Sequence, residues 1–225
     1  MFEAVILAGG FGTRLKEISE GLPKPMVKVG KEPFLYRLMK DLESNGCSKI
    51  ILSLYFRSEY IIEKVQSDLP VKCMVEFVVE DVPLGTGGAI KNAAKNISSS
   101  KFVSINGDTY SDIDYMDIYK TSRSEDVTIS GILVEDSSRY GSLDVNSNGE
   151  VVAFNEKHGT GPGLINSGTY VLPTNKILNF ELEKFSIEKD FFPCFDGIIK
   201  VYETDGLFID IGVPKDYLYA CKVLG

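Results

Sequence analysis

Short apolar runs alternate with stretches of helical period through the first 134 residues. The opening run Phe2–Ala8 holds one charged residue, Glu3, and reads as a buried strand. The same pattern predicts strands near Ala4–Ala8, Lys49–Leu54, Val75–Val79, Phe102–Asn106 and Val127–Val134. Between them, Pro33–Asn45 places Phe34, Leu35, Leu38, Met39 and Leu42 on one stripe, and Gly46 supplies the stop. Glu59–Gln66 and Ala89–Lys95 fill the next two gaps as helices. Strands alternating with helices imply βαβ units: an α/β, Rossmann-like, mostly parallel sheet flanked by helices. Ligands of such sheets bind beyond the carboxyl ends of the strands. Three segments follow strands there and converge on one rim: the Gly9 loop, Leu84-Gly85-Thr86-Gly87-Gly88, and Asn106-Gly107-Asp108.

After Glu135 the texture changes. Gly141–Asn146 and Val151–Asn155 alternate around Asn148-Gly149, which predicts a hairpin. Ile165–Leu172 and Ile198–Glu203 read as further strands, with helical material near Asn175–Phe180 and Glu188–Phe195. This half is expected to be a β-rich insertion on the same sheet. The reading is one domain over 1–225, with a nucleotide-type portion over about 1–134 and a second portion over about 135–225. No linker, repeat or low-complexity stretch interrupts it. The only polar gap is Asp136-Ser137-Ser138-Arg139.

Composition adds exclusions. A chain of 225 residues with 44% hydrophobic and 25% charged positions can bury a core without staples. A net charge of -8 argues against nucleic acid as a partner, though a nucleotide needs only a few local cations. No basic segment followed by an apolar core marks a secretory signal, and no apolar run approaches a membrane span. Cys47, Cys73, Cys194 and Cys221 are scattered, without metal-type spacing. The expectation is a cytoplasmic protein with reduced thiols and no membrane partner.

Four clusters carry candidate chemistry. The loop Gly9-Gly10-Phe11-Gly12-Thr13-Arg14 lacks the Gly-Lys-Ser/Thr ending of a Walker A loop and the spacing of a dinucleotide fingerprint. Its glycines let the backbone approach a phosphate, and Arg14 and Lys24 add cations beside it. Pro23 and Pro25 restrict the backbone around Lys24. Asp108 ends an apolar strand next to a glycine and suits a hard cation held against phosphate. By itself it also fits a turn aspartate. Asp210 stands inside the apolar run Phe208–Pro214 and needs a cation, whether a metal or a lysine or arginine. Glu156 and Lys157 follow a strand end and fit either a ligand pocket or a solvated surface. His158, the one histidine, reads as a surface residue, and no nucleophile–histidine set points to covalent catalysis.

In order and together, these segments resemble the sugar-1-phosphate nucleotidyltransferases over nearly the whole chain. Leu7–Leu15 with Pro23-Lys24-Pro25, and Pro83–Ala89, resemble that family's two nucleotide segments. Asn106-Gly107-Asp108 and Asp210-Ile211-Gly212-Val213-Pro214 resemble its metal motifs. Arg139-Tyr140-Gly141, Glu156-Lys157 and Asn166–Tyr170 resemble its sugar-phosphate pocket. Among its members the chain is most similar to the D-glycero-D-manno-heptose 1-phosphate guanylyltransferases, short forms without a β-helix tail. The resemblance implies a nucleotide-diphospho-sugar transferase fold. It also implies in-line transfer of a nucleoside monophosphate from a nucleoside triphosphate to a sugar 1-phosphate, giving pyrophosphate and an NDP-sugar for surface polysaccharide. It assigns nucleotide contacts to Leu7, Ala8, Gly9, Gly10, Gly12, Thr13, Arg14, Lys24, Pro83, Gly85, Thr86 and Gly88. Arg14 and Lys24 take the catalytic roles: Arg14 holds the departing pyrophosphate, and Lys24 neutralises charge near the α-phosphate. Sugar-phosphate contacts fall to Asn106, Gly107, Tyr140, Gly141, Glu156, Lys157, Asn166 and Gly168. Asp108 and Asp210 are assigned a Mg²⁺ cofactor.

Gly87 and Val213 depart from the common alanine and threonine, and both are expected beside ligand atoms. Glu80, at the end of the third strand, offers a carboxylate that accepts two hydrogen bonds from guanine N1 and N2 if it faces the pocket. It favours GTP, against the alternative of a solvated strand end. Two other readings stay open: a mannose or glucose 1-phosphate enzyme using GTP, UTP, CTP or dTTP, and a non-catalytic nucleotide- or sugar-sensing module. Phe191, Phe192, Phe195, Tyr217 and Tyr219 serve either the core or a homo-oligomer contact.

Overall fold

A computed structural model describes residues 1–10, 21–155 and 161–225 of the chain. Strand β1 (Phe2–Leu7) leads to a small ribbon, β2 (Lys28–Val29) and β3 (Glu32–Pro33), and then to α1 (Phe34–Ser44) and β4 (Cys47–Leu54). There follow α2 (Ser58–Ser67), β5 (Met74–Val79), α3 (Gly85–Ala94) and β6 (Lys101–Asn106). A second ribbon strand, β7 (Thr109–Ser111), precedes α4 (Tyr115–Thr121) and β8 (Val127–Val134). The remainder comprises β9 (Ser142–Val145), β10 (Val151–Asn155), β11 (Gly163–Pro173), α5 (Thr174–Leu178), β12 (Ile199–Thr204), β13 (Phe208–Asp210) and α6 (Pro214–Leu224).

β5, β4, β1 and β6 lie side by side and parallel. β11 runs antiparallel along β6, β8 antiparallel along β11, and β12 parallel to β8. The strands are apolar at consecutive positions because both faces are covered. Ala4 and Ile6 of β1, with Ile50 and Leu52 of β4, face the layer holding Leu38, Met39 and Leu42 of α1. Val5 and Ile51 face the opposite layer, with Ile90 and Ala93 of α3 and Phe102 of β6. No helix among the described residues is long and apolar enough to cross a membrane.

Three features position the rim. Gly107 turns the chain at the end of β6, its N–H donating to the Leu7 carbonyl at 2.9 Å. A Cβ at this glycine would run into that carbonyl oxygen, so no larger residue fits without moving β1. β7 then pairs antiparallel with β13, Thr109 opposite Asp210, and the Ile211 N–H donates to the Asp108 carbonyl at 3.0 Å. The hairpin β9–β10 turns at Asn148-Gly149 as the alternation predicts. It joins β11 at Ile165, beyond the Thr169–Pro173 stretch that pairs with β6. It therefore extends the sheet past the carboxyl end of β6 and overlooks that end.

Two elements differ from the sequence expectation. α3 starts at Gly85, not Ala89, so the glycine run is helical. Its side-chain-free face carries another segment: the Gly87 and Gly88 N–H groups donate to the Phe185 carbonyl at 2.9 and 3.2 Å. That packing outweighs the low helix propensity of glycine. The helix expected over Glu188–Phe195 is a π-helical turn, Ile187–Phe191, followed by a 3₁₀ turn, Phe192–Cys194. Pro193 has no N–H to continue an α-helical ladder. Phe191 and Phe192 are core residues, stacked among Phe154, Tyr170, Phe180 and Phe195. The Tyr217 hydroxyl donates to the Lys28 carbonyl at 2.7 Å, whereas Tyr219 is exposed.

Candidate functional site

Two cavities open on the rim. The first, of about 320 Å³, lies against Leu7, Gly9 and Gly10 after β1, Ser53 of β4, Glu80 after β5, and Pro83, Gly85 and Thr86 at the start of α3. The second, of about 410 Å³, lies against Tyr140, Gly141, Phe154 and Asn155 of the hairpin region, Asn166 and Gly168 of β11, and Glu188 and Lys189. Asn106 and Asp108 line both. Lys24 lines the first and Asp210 the second. Each volume suits a small molecule of nucleotide or sugar-phosphate size.

At the junction, Lys24 sits between two prolines in a 3₁₀ turn and is 9% exposed. Its Nζ donates to Asp108 Oδ2 at 2.5 Å and to Asp210 Oδ1 at 3.5 Å. The β7–β13 ribbon brings the two aspartates to this one ammonium. Asp210 Oδ1 also accepts the Gly212 N–H at 2.7 Å. A Cβ on Gly212 would stand 2.6 Å from Asp210 Oδ1 and 2.8 Å from Lys24 Nζ, so only glycine leaves room for the bridge. The lysine and metal alternatives for Asp210 thus fall on the same spot. Two carboxylates share one ammonium. Among the described residues no third histidine, cysteine or acidic side chain joins them.

Glu80 is buried in the wall of the first cavity, which removes the solvated alternative. Its Oε2 accepts the Leu84 N–H at 2.9 Å and its Oε1 the Ser53 hydroxyl at 3.5 Å. Burial pushes its carboxyl pKa up, and the two hydrogen bonds pull the other way. In the second cavity Asn166 is committed internally. Its Nδ2 donates to the Tyr170 hydroxyl and to Glu188 Oε1, both at 2.9 Å, and its Oδ1 accepts the Gly168 N–H at 2.9 Å. Tyr170 is fully buried, and that burial, reinforced by the charge of Glu188, holds its pKa well above the ordinary value, so it stays a donor. Tyr140 packs edge-on against Phe208.

Not every expected contact reaches a cavity wall. Ala8 is buried in the core, its N–H donating to the Ser53 carbonyl at 2.8 Å. Gly88 faces the Glu183 backbone. Neither departure, Gly87 or Val213, lines either of the two cavities. Gly87 makes room for the Phe185 ring, and Val213 precedes α6. Gly12, Thr13, Arg14, Glu156, Lys157 and His158 lie outside the described residues. The sequence reading missed Ser53, Glu188 and Lys189. Ser53 is a small polar residue in an apolar strand, a weak signal. Glu188 and Lys189 stand in a charged turn that reads as solvated helix.

Comparison with known proteins places this chain in a family. The chain matches the Nucleotidyl transferase family over residues 3–222. It belongs to that family. This nucleotidyltransferase is 37% identical over 220 residues to the D-glycero-alpha-D-manno-heptose 1-phosphate guanylyltransferase of Campylobacter jejuni, covering 96% of this chain and 97% of that one. It is 32% identical over 228 residues to a mannose-1-phosphate guanyltransferase of Aspergillus oryzae, covering 96% of this chain and 62% of that one. The crystal structure of HddC from Yersinia pseudotuberculosis complexed with GMP-PN superimposes with a TM-score of 0.93 at 51% identity, covering 100% of each chain. The fold is the mixed, mostly parallel sheet of nucleotide-sugar transferases, as the strand pattern and the resemblance led one to expect.

Proposed function

We propose that this nucleotidyltransferase transfers GMP from GTP to D-glycero-D-manno-heptose 1-phosphate, releasing pyrophosphate, in the cytoplasm. The observation that carries the reading is the Lys24–Asp108–Asp210 cluster at the junction of the two cavities. A phosphate oxygen of the sugar 1-phosphate forms a bond to the α-phosphorus as the bond to the bridging β-phosphate oxygen breaks. No protein nucleophile is needed, so positioning and charge stabilisation supply the catalysis. The first cavity takes the nucleotide and the second the sugar phosphate, so the two portions of the chain act as one domain. Lys24 reaches the α-phosphate from the junction. Arg14 holds the pyrophosphate and Lys157 the sugar phosphate, as the resemblance implies. Glu156, Gly141 and the Asn166–Gly168 backbone meet sugar hydroxyls.

The donor set fits Mg²⁺. Two hard carboxylate oxygen donors stand together at the junction of the two cavities, and phosphate oxygens and water would complete such an ion's shell. Asp108 and Asp210 would hold it. When bound, the ion neutralises phosphate charge and orients phosphate oxygens.

Pyrophosphate release, measured with Mg²⁺ across several nucleoside triphosphates and sugar 1-phosphates, tests this. GTP with the heptose 1-phosphate is expected to be fastest, and chelation of the metal to abolish the signal. Signal with UTP or dTTP alone would overturn the guanylyl assignment. Silence with every pair would leave a sensing module. Mannose 1-phosphate is the second acceptor to try, because a mannose-1-phosphate guanyltransferase is among the relatives.

Glu80 supports the choice of guanine, since its carboxylate lines the first cavity and its oxygens keep lone pairs for N1–H and N2–H. Glu80→Gln puts a donor where an acceptor is wanted. It is expected to lower kcat/KM for GTP by about tenfold or more, as unmatched polar groups do. Inosine triphosphate lacks the N2 donor, so the preference for GTP over it is expected to shrink in the variant. An unchanged preference would remove Glu80 from base recognition.

A further inference from the structure

The far wall of the second cavity carries a carboxylate for which the transfer chemistry has no use. Glu188 stands on the π-helical turn Ile187–Phe191 and is exposed toward that cavity. Its Oε1 accepts from both Asn166 Nδ2, at 2.9 Å, and the Tyr170 hydroxyl, at 3.1 Å. Tyr170 is fully buried in the sheet, so this pair of donors fixes the direction of the carboxylate. Oε2 takes no hydrogen bond from the described residues. An oriented carboxylate oxygen on a cavity wall is an acceptor for hydroxyl groups, and hydrogen bonds to carboxylates are among the strong ones.

The turn that bears Glu188 is tied to the other cavity. The Ile187 N–H donates to Thr86 Oγ1 at 3.0 Å. The Gly87 and Gly88 N–H groups donate to the Phe185 carbonyl, and the Phe185 N–H donates to the Leu84 carbonyl at 2.9 Å. Thr86 itself lines the first cavity. The start of α3 and the wall of the second cavity are therefore one hydrogen-bonded unit.

We propose that Glu188 is a specificity residue that accepts hydrogen bonds from hydroxyls of the sugar 1-phosphate, and that Thr86 is a positioning residue that holds it in place through Ile187. The ligand class is a polyhydroxylated ring, not the nucleotide. This rests on the transferase reading given above.

Steady-state kinetics of the full chain with Mg²⁺, GTP and D-glycero-D-manno-heptose 1-phosphate test it, with a melting curve for each variant. Glu188→Gln keeps the shape and removes the charge. Its KM for the sugar 1-phosphate is expected to rise about tenfold, and that of Glu188→Ala more, with KM for GTP within about twofold. Thr86→Val is expected to raise the sugar KM more than the GTP KM, and Thr86→Ser, which restores the hydroxyl, to return it. A sugar KM unmoved in both Glu188 variants would overturn the assignment. So would KM values for both substrates rising together with a lowered melting temperature, the pattern of a purely structural role. If the wild-type chain turns over no sugar 1-phosphate, the transferase reading itself falls and takes this one with it. An active wild type with unaffected Glu188 variants sinks the Glu188 assignment alone.

Discussion

Asp108→Ala is expected to lower kcat by about a thousandfold while the chain stays folded. Among the described residues Asp108 is the one charged residue that lines both cavities, and it makes the shorter of the two bonds to Lys24. It is also half of the only carboxylate pair at the junction among the described residues. Without it, a divalent ion loses one of two anionic ligands and Lys24 loses its closer partner. Its backbone, not its side chain, carries the link to Ile211, so the β7–β13 ribbon survives the substitution. Asp108→Asn, which keeps the volume, is expected to be nearly as damaging. Single-turnover pyrophosphate release at saturating substrates, beside a melting curve, checks this. A folded Asp108→Ala protein with turnover within tenfold of the wild type would remove the junction from the chemistry.

Lys24→Met is expected to divide two effects that metal can and cannot repair. In the free protein Asp108 and Asp210 lose their shared counter-ion and repel each other. Asp108 keeps 40% of its side chain in water, which screens part of the penalty and puts the loss at about 1–3 kcal/mol. For a chain of this size that is a drop of several degrees, on the order of 2–10 °C, in the melting temperature. Added Mg²⁺ is expected to recover much of it, and to stabilise the variant more than the wild type, because in the wild type Lys24 already occupies the carboxylates. Activity behaves differently. Loss of the cation near the α-phosphate is expected to cost about a hundredfold in kcat that no concentration of Mg²⁺ restores. A variant no less stable than the wild type without metal would mean that the bridge contributes nothing to the fold.

The parallel half of the sheet was legible because its strands are buried on both faces and so stand out as short apolar runs. Val127–Val134 and the Asn148-Gly149 hairpin were equally plain. Asp108, Asp210 and Lys24 could be singled out because each breaks a local pattern: a charge in an apolar run, or a lysine between prolines. That the two aspartates meet was expected from their joint assignment to one metal, whereas the ribbon that brings them together, three residues per strand with no periodicity of its own, was not legible. The start of α3 was hidden because glycine propensity opposes it and only packing against Phe185 and Glu183 favours it. Glu188 was missed for a related reason. A charged turn looks solvated until Asn166 and Tyr170, distant in sequence, are seen to grip it. Ala8 and Gly88, which the resemblance places with the nucleotide, pack against Ser53 and Glu183 and do not line the first cavity.

Because Asn106 and Asp108 form a common partition between the two chambers, a molecule built by joining their contents keeps a grip on both sides. When one half lets go, the other tethers it at high effective concentration, and rebinding competes with escape. In the transfer proposed above, the nucleotide sugar is therefore held at both chambers, whereas the sugar 1-phosphate fills one. Inhibition of the proposed reaction by its own nucleotide sugar is the expected consequence.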